Sequence, residues 1–68
     1  MTDKQIKQVI DLQNEMLVTY KNWRKGQSFF NALYTLFPNI GDKITASEYD
    51  PFYVDSKIEK CITRLKEL

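Results

Sequence analysis

The segment QSFFNALYTLF, residues 27–37, decides most of what this chain can fold into. Wound at 100° per residue, Phe29, Phe30, Ala32, Leu33, Leu36 and Phe37 cover more than half of a helix surface, and Tyr34 widens that face. Only Gln27, Ser28, Asn31 and Thr35 are left for a polar side. A helix this apolar has to be covered on most sides. The whole chain has 68 residues with which to do it. At that size roughly 60% of the unfolded surface is buried on folding, so the core is marginal and the aromatic residues must supply much of it. A single cysteine, Cys61, excludes an internal disulfide, and the absence of histidine argues against a structural zinc. Self-association is the remaining aid.

Two flanking segments can provide the cover. Residues 3–25 read as an amphipathic helix, with Thr2 and Gln5 at capping-box spacing and Asp3 in the first turn. Ile6, Val9, Ile10, Leu12, Met16, Leu17, Tyr20 and Trp23 share one broad face, with Gln13 at its centre, where burial requires a hydrogen bond. Arg24 and Lys25 followed by Gly26 form a helix stop signal. The competing parse runs one long helix through Gly26 at a cost of about 1 kcal/mol. Residues 56–67 make the third helix, with Ile58, Cys61, Ile62, Leu65 and Leu68 on one stripe and Asp55 or Ser56 as cap. Between them Pro38 ends the middle helix, and residues 39–45 suit a short helical turn. The expectation is an all-α, single-domain, three-helix bundle with an extra short helical turn.

The chemistry available is narrow. Without histidine the common Ser-His and Cys-His nucleophile arrangements are out, and Cys61 lies on an apolar stripe. Asp42, Glu48, Asp50 and Asp55 do not follow the spacing of a calcium loop. No enzyme activity, metal or cofactor is expected. Lys and Arg outnumber Asp and Glu by one, 10 against 9, far from the basic footprint of a nucleic-acid binder. Nucleic-acid binding by stacking is therefore possible but not favoured. No apolar run suggests a signal peptide or a membrane span, so a cytoplasmic protein with a reduced thiol is the default.

Two places carry candidate binding residues. ASEYDPFYVDSK, residues 46–57, mixes three aromatics with three acids. Asp50 and Pro51 suit a single helical turn over DPFY, and Phe52 suits the core. Glu48, Tyr49 and Tyr53 are left without a structural task. Trp23, Arg24 and Lys25 set an aromatic and two bases before a helix N-terminus, an arrangement able to hold a phosphate or carboxylate. The plainer reading pairs Arg24 with an acid of the 48–55 loop.

Arg24, Gly26, Gln27, Phe30, Asn31, Ala32 and Leu33, followed by Asp50, Pro51, Phe52, Tyr53 and Asp55, form a pattern GQxxFNAL…DPFYxD. It resembles a largely uncharacterised family of small proteins encoded by tailed phages and prophages, over roughly residues 24–62. The resemblance implies a phage-type accessory protein, in the host cytoplasm, and no particular activity. It suggests a matched pair of motifs, joined if Gln27 or Asn31 hydrogen-bonds the backbone of the DPFY turn. The favoured function is non-enzymatic protein–protein binding, by a homo-oligomer or to a host or defence factor. The alternative is nucleotide binding or sequestration, with Arg24 and Lys25 on phosphate and Trp23, Tyr49 and Tyr53 on the base.

Overall fold

The computed structural model describes all residues from Met1 to Leu68. It is a small all-α bundle without strands: α1 (Asp3–Thr19), α2 (Lys25–Leu36), α3 (Pro38–Ile44) and α4 (Ile58–Glu67), the last preceded by a 3₁₀ turn at Asp55–Lys57. No helix is long and apolar enough to cross a membrane.

The capping box read in the first turn is formed. Thr2 Oγ1 accepts from the Gln5 amide at 3.1 Å, and Gln5 Oε1 accepts from the Thr2 amide at 2.9 Å. The other end of α1 differs from expectation. The helix stops at Thr19 and does not continue to residue 25. β-Branched Val18 and Thr19 are weak helix formers. A turn closed by the Trp23 amide on the Tyr20 carbonyl, at 2.9 Å, then reverses the chain. The Tyr20 and Trp23 rings stack across it with centroids 4.1 Å apart. Lys25 and Gly26 consequently start α2 and do not end α1.

The expected two-helix arrangement holds, and α2 is the most buried element. Phe29, Ala32 and Leu33 are fully covered by Ile6 and Val9 of α1, Ile44 of α3, and Cys61 and Leu65 of α4. Gln13, in the middle of the apolar face, donates from Nε2 to the Lys25 carbonyl at 3.1 Å, which links α1 to the start of α2. Ser28, placed by periodicity on the polar side of α2, is fully buried, and its hydroxyl has no partner. Leu36 is 41% exposed despite its place on the apolar face.

The short turn expected at 39–45 is a seven-residue helix that begins on Pro38 itself. Proline at the first helical position lacks only an amide that would be unpaired anyway. The α-amino group of Met1 donates to the carbonyls of Leu65 and Leu68, at 2.8 and 2.7 Å, and so satisfies the C-terminal end of α4.

Candidate functional site

The loop from Thr45 to Val54 crosses the N-terminal end of α2, and its shape is set by two short polar side chains. Asp50 accepts from the Ala46 amide through Oδ2 at 2.8 Å and from the Phe52 amide through Oδ1 at 2.9 Å. Ser47 Oγ donates to the Ile44 carbonyl at 2.6 Å and accepts from the Tyr49 amide at 3.1 Å. Within this braced loop Ala46 sits at φ 58°, a left-handed conformation that costs a non-glycine residue about 1 kcal/mol. No helical turn forms over DPFY. Asp50 folds back over Pro51 as an Asx turn, and the Val54 amide closes on the Pro51 carbonyl at 3.1 Å. Pro51, rather than Phe52, is the residue packed out of solvent. Phe52 is half-buried, edge-on to Phe30 at 5.9 Å.

Two contacts clasp this loop to α2. The Gly26 amide donates to Asp55 Oδ1 at 3.0 Å, and the Arg24 guanidinium donates to the Phe52 carbonyl. Arg24 Nε also lies 3.8 Å from Asp55 Oδ1, the pairing with an acid of residues 48–55 that the plainer reading of Arg24 anticipates. The GQxxFNAL and DPFYxD segments are thus joined, but not by Gln27 or Asn31. Gln27 Oε1 instead accepts from the Arg24 amide at 3.3 Å, closing the first turn of its own helix. Asp55 therefore does not cap α4. Neither the 3₁₀ turn nor α4 has a side-chain cap, and the Ser56–Glu59 capping box is not made. A helix N-terminus attracts anions. At α2 that position is filled by the chain's own Asp55 carboxylate.

The candidate residues fall into two groups. Arg24 and Tyr53 come together, with the guanidinium carbon 5.9 Å from the phenol ring centroid. Tyr53 also meets Phe52 edge-on at 4.8 Å, and Phe52 continues through Phe30 to Tyr34, so four rings run as one strip from the loop along α2. Asp42 accepts from the Tyr34 hydroxyl at 2.7 Å and raises that phenol's pKa above its ordinary 10.0. At the loop end Tyr53 is 81% exposed. Trp23 and Lys25 flank Arg24 in the chain, and Trp23 carries the stacked, half-exposed Tyr20.

Glu48 and Tyr49 lie apart from this group and face α4. Glu48 pairs with Lys60 at 3.6 Å. The Tyr49 ring packs on the core and has Lys60 Nζ at 5.5 Å and the Arg64 guanidinium at 5.6 Å. Both residues thus have the structural task that the sequence left open. The four acids considered as metal ligands are spread over these separate duties, and no three of them converge. Cys61 is fully buried, and burial followed by the nearby Asp50 charge pushes its thiol pKa up to about 12.

Sequence reasoning missed Val18 and Tyr20 as surface residues; they are 73% and 47% exposed. The available signal was the β-branched pair Val18-Thr19, which marks a weak end to α1. No protein-family model, curated protein or solved structure matches the chain.

Proposed function

We propose that this protein acts by binding another protein, through the surface that Arg24 and Tyr53 form with Trp23 and Tyr20 at its edge. One observation carries the reading. Tyr53 is 81% exposed, yet its ring is held in place by the Phe52 edge and the Arg24 guanidinium. A pre-oriented aromatic loses little conformational entropy on docking, and Tyr, Trp and Arg are the residues that dominate binding hot spots. The resemblance to small phage-encoded proteins makes a host or defence factor the natural partner. A second copy of the chain is the other form of the same proposal.

Tyr53→Ala removes this anchor while leaving the core intact. Immobilised wild-type protein should retain a partner from host extract that the variant retains roughly tenfold to thirtyfold less, with both melting at the same temperature within about 2 °C. Light scattering shows whether a second copy is that partner. Identical capture by the two proteins, together with a monomeric wild type, refutes the reading.

A further inference from the structure

The α1–α2 corner carries two basic side chains that no ion pair in the molecule balances. From Met16 to Gly41 there is no acidic residue, while Lys21, Arg24 and Lys25 are all basic. Arg24 is matched by Asp55. Lys21 and Lys25 are exposed and in no ion pair. Unpaired lysines elsewhere differ in one respect. Lys4, Lys43 and Lys66 each adjoin an acid in the chain, and Lys57 follows Asp55 by two positions. Lys25 moreover occupies the first position of α2, which has no acid in its first turn. The helix dipole disfavours a cation there, and the one carboxylate at that terminus, Asp55, is engaged by the Gly26 amide and Arg24 rather than by Lys25.

The same corner is the most apolar exposed part of α1 and the turn that follows it. Val18 is 73% exposed, Tyr20 is 47% exposed, and the stacked Tyr20 and Trp23 alternate along the chain with the two free lysines, Lys21 and Lys25. Exposed apolar side chains interspersed with unpaired positive charge are complementary to an acidic segment carrying a hydrophobic side chain. Two free ammonium groups and a net charge of +1 are few for tracking a nucleic-acid backbone.

We infer that the partner presents an acidic protein segment, with carboxylates on Lys21 and Lys25 and an apolar side chain against Val18 and the Tyr20–Trp23 stack. This rests on the protein-binding reading above and adds the chemistry of the partner. It does not use the α2 N-terminus as an anion site, since Asp55 already fills it.

Trp23 is the sole tryptophan and reports on the corner directly. The full chain is titrated with three probes while Trp23 emission and backbone amide shifts are followed. The probes are a short peptide with glutamates around a leucine–phenylalanine pair, the same peptide with glutamine for glutamate, and oligothymidylate. The glutamate peptide should move the signals of residues 18–25 saturably, and more weakly as salt is raised. The double variant Lys21→Glu/Lys25→Glu, checked for an unchanged melt, should bind it roughly tenfold more weakly. Equal binding of the glutamine peptide overturns the acidic partner but leaves the protein-binding reading, which Tyr53→Ala judges separately. A response to oligothymidylate without one to the glutamate peptide overturns the inference in favour of nucleic acid. Silence with all three probes overturns it as well.

Discussion

A Cβ placed on Gly26 would stand 2.0 Å from the Pro51 carbonyl oxygen and 3.0 Å from Asp55 Oδ1. Intrinsic propensity favours alanine over glycine inside a helix by about 1 kcal/mol. Here the obstacle is backbone, which cannot rotate away, so the loop would have to lift off α2. Gly26→Ala is expected to destabilise by about 1–3 kcal/mol, as overpacked sites do. Denaturant midpoints at constant slope give the measurement, and a variant as stable as the parent would disprove the close approach. Gly41 is a useful contrast. Its nearest obstacle is a side chain, the Tyr34 ring at 2.6 Å, with the Tyr34 Cα behind it at 3.2 Å, so relief there would cost the Tyr34–Asp42 hydrogen bond rather than the seat of the loop. The glycine at position 26 was visible in the sequence, but its purpose was not. A stop after two basic residues and a seat for a passing loop look alike until the loop is placed.

Among the elements, the loop is the one whose position depends on side chains. Asp55 serves it twice, accepting from the buried Gly26 amide and facing Arg24. The ion pair is half-exposed and contributes little by itself. Loss of the acceptor strands a buried amide, which costs about 1–2 kcal/mol. Asp55→Asn, which keeps an oxygen at the same place, should therefore lose no more than ~0.5 kcal/mol, and Asp55→Ala clearly more. Equal losses in equilibrium unfolding would assign the clasp to charge instead. The helices themselves were legible in the pattern, because burial of Ile6, Val9, Phe29, Leu33, Cys61 and Leu65 follows the 3.6-residue period. Where prediction strayed, the reasons differed. α1 ended early on a local signal, the β-branched Val18-Thr19 pair and the Tyr20–Trp23 turn that follows it. At α4 a local signal lost to a tertiary one, because the Gly26 amide drew Asp55 away from capping that helix. For the binding surface, Arg24 and Tyr53 could be picked out, but their contact spans 29 positions that only the folded loop brings together.

At the level of the whole molecule, a bundle measuring about 31 × 23 × 18 Å has few layers between its centre and water. Cys61 lies in that centre, with its thiol pKa raised from the ordinary 9.0 to about 12. Between those values the folded chain holds a proton that the unfolded chain releases. The stability associated with the neutral thiol is whole below pH 9 and is lost as the pH climbs towards 12, at up to about 1.4 kcal/mol per pH unit. Wild type should thus lose roughly 1–1.5 kcal/mol between neutrality and about pH 10. Cys61→Ala should show a flatter alkaline limb, whatever its packing costs at neutral pH. Urea midpoints of both proteins at the two pH values decide this, and parallel limbs would contradict it. The buried thiol has a temporal consequence too. A disulfide reagent reaches sulfur only after the bundle parts, so the labelling rate in native buffer records how often the molecule opens. With one such atom per chain, the protein carries its own clock.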